Sequence, residues 1–267
     1  MTTLRPYFST ASFVRLPVRD GFRHVAEAGY EGIEIMVTHD PGTQEAHLLQ
    51  QASREFGVGV DVIHAPFLLI TRRVWGTDPI GKIYRAVQVA ETVGAPLVVI
   101  HPPYRWQVRF RRWVEKNLAE FSARTGVTVA VENMFPIGGE RGVTFHADQE
   151  LEDLDGYPYL VLDTSHAAVA GLDILDLYRR YRDKIVHVHL SNNAGKGWDS
   201  HLPVYDGVLP LDEFLQLLAS DGYRGTMSIE LDLRPYLEDE DALGEVLVRN
   251  REFCESNLPV QGSASRS

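Results

Sequence analysis

The chain carries one cysteine, Cys254, in 267 residues. An intramolecular disulfide and a thiolate metal site are therefore both excluded, which suits a reducing cytoplasm, the expected compartment. Cys254 lies late in a helical stretch and reads as a small buried hydrophobe. No apolar run approaches the ~20 residues of a membrane helix, and the N-terminus shows no basic segment followed by an apolar one, so neither a membrane span nor a secretory signal is expected. Basic charge is also scarce: 26 Lys and Arg against 37 Asp and Glu give a net charge of -11. That balance disfavours broad adhesion to nucleic acid. A local exception is the group Arg72, Arg73, Arg105, Arg109, Arg111 and Arg112, which could grip a phosphate or simply mark solvated helix starts. Neither a phosphate-cradling P-loop nor a Gly-x-Gly-x-x-Gly turn is present, so a nucleotide cofactor is not implied.

What is present is alternation. Short β-rich runs near residues 5–9, 32–37, 58–64, 96–101, 127–132, 159–163, 185–190 and 226–231 are separated by amphipathic stretches. Such βαβα order implies a parallel sheet with helical crossovers, and eight strands predict closure into a single (β/α)₈ TIM barrel over residues 1–257. Helices are expected at Thr43 to Phe56, Pro79 to Val93, Trp106 to Arg124, Ile174 to Tyr181 and Leu211 to Ser220, with a last one after Glu238. Gly-Tyr-x-Gly recurs before two strands, at Gly29 and Gly222, and Gly94 and Gly126 stand where left-handed helix caps belong. Residues 258–267 read as a short, polar, disordered tail.

Barrel enzymes place their chemistry at the C-terminal ends of the strands. Here the third strand ends at His64, the fourth at His101, the fifth at Glu132, and the sixth at Asp163 with His166 just beyond. The seventh ends at His189, the eighth at Glu230, and the loop after the seventh adds Asp199 and His201. One histidine after an apolar run is ordinary core; six consecutive strands delivering His, Asp or Glu to the same end are not. Imidazoles and carboxylates packed so closely stay unsatisfied or repel unless a cation neutralises them. Mixed nitrogen and carboxylate donors suit zinc, manganese, cobalt or another first-row divalent ion better than calcium. Alternation places His187 and His189 on the same inward side, so His187 reads as a packed or supporting residue beneath the ligand His189. Trp75, Trp106, Trp113 and Trp198 follow strand ends, where rings could stack on a sugar or pack loops; Trp198 adjoins Asp199 and is the best functional candidate.

On His64-Ala65-Pro66, Glu132-Asn133, Asp163-Thr164-Ser165-His166, His187-Val188-His189, Asp199-Ser200-His201, Asp206-Gly207 and Gly222-Tyr223 leading to Glu230, the chain resembles the xylose isomerase-like barrel superfamily. That superfamily contains sugar-phosphate isomerases and epimerases as well as endonuclease IV. In the isomerase and epimerase branch the resemblance implies one metal held by Glu132, Asp163, His189 and Glu230. Glu132 and Glu230 would then move a proton next to a carbonyl, and His166 would bind a substrate oxygen. In the endonuclease IV branch it implies three zinc ions held by His64, His101, Glu132, Asp163, His166, His189, Asp199, His201 and Glu230, acting on a phosphoester.

The first strand lacks a Gly-His segment and the charge is acidic, so the isomerase or epimerase of a small sugar or sugar phosphate is the first expectation. The trinuclear zinc hydrolase is the alternative, and a non-catalytic barrel the third class.

Overall fold

A computed structural model describes residues 4–67, 71, 73–136, 142–146 and 151–258. Eight strands run β1 (Pro6–Ser9), β2 (Gly32–Met36), β3 (Gly59–His64), β4 (Leu97–Ile100), β5 (Thr128–Glu132), β6 (Leu160–Asp163), β7 (Ile185–Leu190) and β8 (Thr226–Ile229). They pair in parallel, each with the next, and β1 closes the ring on β8 through Pro6↔Met227 and Tyr7↔Ser228. The chain is a single closed (β/α)₈ barrel, as its alternation predicts.

Two residue periods decide what each strand gives to which side. One parity, including Ile33, Ile35, Ile63, Val98, Ile100, Val129, Val131, Leu160, Leu162 and Val188, belongs to the large core shared with the helices. The other parity places Val62, Leu97, Val99, Ala130 and Val161 in a separate apolar cluster inside the barrel. Two residues beyond members of that cluster come His64, His101, Glu132 and Asp163. The same apolar plug that fills the barrel thus lifts a ring of polar side chains to its C-terminal rim.

Helices α1 (Val18–Glu27), α2 (Pro41–Gln44), α3 (Ala46–Phe56), α4 (Pro79–Val93), α5 (Val108–Thr125), α6 (Thr164–Val169), α7 (Ile174–Tyr181), α8 (Leu211–Ser220) and α9 (Glu240–Asn257) make the crossovers. Asp78, Asp173 and Asp239 cap α4, α7 and α9 through side-chain acceptance of backbone N–H groups. Gly94 and Gly126 adopt the expected left-handed caps, at φ 85° and 75°.

Three boundaries differ from the sequence expectation. The helix expected from Thr43 to Phe56 is broken at Glu45, whose backbone is extended, because Asp40 caps a separate turn and Thr43 Oγ1 donates to Asp40 O and accepts from Thr38 N. The helix expected from Trp106 begins at Val108, since the Gln107 side chain turns back to accept from Tyr104 N. Leu258, the first residue of the expected tail, is instead buried in the core, and 259–267 lie outside the described residues. Cys254 is fully buried in α9, as expected.

Candidate metal centre at the barrel rim

Glu132 ends β5 at the middle of the rim, with its side chain 2% exposed. Its Oε1 lies 2.9 Å from His189 Nδ1 and 3.4 Å from His166 Nδ1. Its Oε2 faces the other way, 3.4 Å from His64 Nε2 and 3.2 Å from His101 Nε2. Burial alone would raise its pKa, but His189, followed by His101 and His166, holds the carboxyl ionised well below the usual range.

Around His189 the set completes itself. Its Nδ1 is 3.8 Å from Asp163 Oδ2 and 3.9 Å from Glu230 Oε2. Asp163 is aimed by local structure: its Oδ1 caps α6 by accepting from His166 N at 2.7 Å, leaving Oδ2 free. Burial pushes its pKa up to about 6 despite the nearby His166 and His201. A third group forms where Asp199 Oδ2 stands 2.8 Å from His201 Nε2 and 3.3 Å from His166 Nε2. Asp199 is fixed by the Ser165 hydroxyl, which donates to Oδ1 at 2.6 Å, and Ser165 Oγ in turn accepts from Asn193 Nδ2. Burial opposes protonation of His201, yet Asp199 outweighs it and lifts the pKa to about 10. Burial instead wins at His101, lowering it to about 4 and leaving a neutral imidazole.

All nine residues named from the sequence therefore meet at one end of the barrel. Their ligand atoms form groups close enough to share an ion: His64, His101 and Glu132; Glu132, Asp163 and His189; Asp163, His166 and His201. Whether a cation fits is tested by what the protein leaves unpaired. Among the described residues, the buried side-chain oxygens without a hydrogen-bond partner are Glu132 Oε2, Asp163 Oδ2, Glu230 Oε2 and Ser228 Oγ. Three of those four are carboxylate oxygens of a single proposed ligand set. Orphaned anionic oxygens inside a protein are costly, and a divalent ion is the partner that removes the cost.

The rim histidines are also held from behind. His64 Nδ1 donates to Ala65 O, His166 Nδ1 to Asn133 O and His201 Nδ1 to Glu230 O, so each turns Nε2 towards its carboxylate. His201 takes a left-handed backbone, φ 39°, to do so.

Sequence reasoning missed Glu34. It is fully buried in β2, with Oε2 3.0 Å from His187 Nε2 and Oε1 3.0 Å from His189 Nε2. A lone acidic residue in Gly32-Ile33-Glu34-Ile35-Met36 was the available signal, because strands buried on both faces are apolar throughout. His146 was missed as well: it is buried, donates Nδ1–H to Pro102 O at 2.8 Å and stacks on Tyr104.

Trp113 packs against Tyr84 and Phe121 in the helical layer, whereas Trp106 is exposed and stacked on Tyr104. Trp198 is exposed beside Asp199, its carbonyl accepting from Asn193 Nδ2. Of the arginine group, Arg72 lies outside the described residues; the others are exposed, and Arg111 pairs with Glu115.

A parallel barrel with His and carboxylate side chains gathered on its C-terminal rim defines a class of scaffold that could hold divalent metal. The chain belongs to the xylose isomerase-like TIM barrel family, whose model matches residues 22–249. It is 38% identical over 264 residues to an uncharacterized protein of Mycobacterium tuberculosis, covering 90% of this chain and 94% of that one. A fructoselysine 3-epimerase of Shigella flexneri is 23% identical over 246 residues, covering 83% of this chain and 88% of its own. A probable endonuclease 4 of Natronomonas pharaonis is 26% identical over 194 residues, 64% of this chain and 70% of its own. The crystal structure of a D-tagatose 3-epimerase-like protein shares the fold, with a TM-score of 0.66 at 22% identity over 93% of this chain and 99% of that one.

Proposed function

We propose that this chain is a multinuclear divalent-metal hydrolase acting on a phosphoester of a small sugar-like substrate. One observation carries the reading: seven of the nine donors fall into three groups linked through Glu132 and Asp163, with the two oxygens of Glu132 facing different groups, and Asp199 and Glu230 stand beside them. His64 and His101 would hold one ion with Glu132. Asp163, His189 and Glu230 would hold a second with it, and His166, Asp199 and His201 a third. Bound there, the ions supply activation of water and neutralisation of the charge that builds on a phosphoryl group. Three divalent cations against the four carboxylates Glu132, Asp163, Asp199 and Glu230 leave the rim net positive, which favours an anionic substrate. The protein's own part is to keep that rim dry and rigid. Ser165 and Asn193 fix Asp199, backbone carbonyls fix three imidazole rings, and the α6 cap fixes Asp163. Five donors stand beyond a four-ligand set, and four of them, His64, His166, Asp199 and His201, are oriented in this way, which favours the hydrolase over the isomerase.

A second reading keeps the sugar or sugar-phosphate isomerase or epimerase, with one ion on Glu132, Asp163, His189 and Glu230. Its support is the longer match to the fructoselysine 3-epimerase and the placement of two glutamates on different strands about one centre. Glu132 would remove a proton and Glu230 return it, with His166 binding the substrate oxygen. The crowding of Glu132 by His64, His101, His166 and His189 works against it as a free proton carrier.

Metal analysis of the purified protein combined with two assays separates the readings. About three zinc ions per chain, with cleavage of bis-p-nitrophenyl phosphate, abasic DNA or sugar phosphates, is the expected result. One ion per chain, solvent deuterium incorporated into ketoses and no phosphoester cleavage would replace it with the isomerase.

A further inference from the structure

Glu34 contributes to none of the roles above, yet its side chain is sealed inside the barrel, fully buried. Each of its two oxygens lies 3.0 Å from the Nε2 of an inward imidazole, Oε2 from His187 and Oε1 from His189. Beneath it the chain of contacts continues, since His187 Nδ1 lies 2.6 Å from Thr226 Oγ1. The trio Glu34, His187 and His189 is compact enough to hold an ion itself. Against that, its donors are already paired with one another at 3.0 Å and Glu34 has no orphaned oxygen, whereas the rim above has three.

The proton count gives the trio a different meaning. A carboxylate accepts, so with each Glu34 oxygen 3.0 Å from one imidazole Nε2, both rings present Nε2–H to it. For His189 the atom left facing Glu132, Asp163 and Glu230 is Nδ1, at 2.9, 3.8 and 3.9 Å. His64, His166 and His201 are anchored the other way round, Nδ1 to a backbone carbonyl with Nε2 presented. His189 is turned over relative to them, and its anchor is a carboxylate in place of a backbone carbonyl.

We propose that Glu34, oriented by His187, is the positioning residue of the central ion. It fixes His189 in the tautomer and rotation that offer Nδ1 as a strong donor, so the affinity of the rim depends on a strand that supplies no ligand. The inference rests on metal binding by Glu132, Asp163, His189 and Glu230. In Glu34→Gln the amide can accept from only one imidazole and must donate to the other, so the arrangement cannot persist. Zinc affinity of the central site, read by competition with a chromophoric chelator, is expected to fall roughly 10–100-fold. The cobalt-substituted protein should show altered absorption bands for one ion only. A folded Glu34→Gln protein with unchanged zinc affinity, whether or not its metal-free form melts lower, overturns the inference and leaves the proposed function standing. If the parent protein takes up no divalent ion, both fall. Should the variant not fold, nitrogen-15 spectra of the zinc-loaded parent decide: a proton on His189 Nε2 with zinc on Nδ1 supports the inference, and the reverse arrangement overturns it.

Discussion

His201 and Asp163 show how the rim's charges bear on stability when no ion balances them. His201 is raised from its ordinary 6.5 to about 10, first against burial and then through Asp199. Its imidazolium therefore stabilises the metal-free fold fully below pH ~6.5 and progressively less as pH rises towards 10. Asp163 is raised from 3.8 to about 6 by burial, so its ionisation penalises the fold as pH climbs through that interval and is fully felt above it. The two act in the same direction. Melting temperature of the chelator-treated protein should fall from pH 6 to pH 10, and a flat profile would contradict the arrangement. A second prediction separates the two functional readings. His64→Ala should remove one ion per chain and lower hydrolysis by more than the roughly 10–100-fold typical of losing a supporting partner; an isomerase with one central ion should retain its metal content. Six of the candidate residues, His64, His101, Glu132, Asp163, His189 and Glu230, were legible in the sequence because each stands at or just beyond the same end of an apolar strand, while His166, Asp199 and His201 were found only in the segments that follow. Glu34 was not, because a mid-strand position gives it no boundary to announce it, and only its charge among apolar neighbours sets it apart.

At the level of elements, β6 and α6 share Asp163, which ends one and caps the other. Its two oxygens can be separated by substitution. Asp163→Asn keeps a cap acceptor and removes the buried charge, so at neutral pH the metal-free variant should be at least as stable as the parent, while Asp163→Ala should be about 1 kcal/mol less stable than the Asn form. Both should lose the central ion. Urea unfolding of the metal-free proteins, together with zinc content, measures each half of the claim. Strand positions, and α4, α7 and α8, followed directly from periodicity and capping residues. The break at Glu45 did not, because it depends on Thr43 and Asp40 bonding back to the Thr38 turn, a side-chain competition that hydrophobic periodicity does not register. α6 is only six residues long, too short for an amphipathic pattern, and exists because Asp163 nucleates it.

For the whole molecule, closure of the barrel was legible from the count of strands, while the grouping of the candidate rim donors was not, since it depends on side-chain direction across strands far apart in sequence. Ions that bind only the folded chain should stabilise it by about 2.7 kcal/mol when free metal stands at a hundredfold over the dissociation constant. Stripping the protein with a chelator should lower its melting temperature, and readdition of zinc should restore it; an unchanged melting curve would argue against structural engagement of metal.

Glu132 gives this loading a particular character. Because one of its oxygens faces His64 and His101 while the other faces His189, an ion in either group would draw charge from, and fix the rotation of, a donor the other also needs. By thermodynamic reciprocity, whatever the first ion does to the affinity for the second, the second does equally to the first. Filling should therefore follow a cooperative or anticooperative isotherm rather than that of independent sites, making the number of ions a graded response to zinc supply.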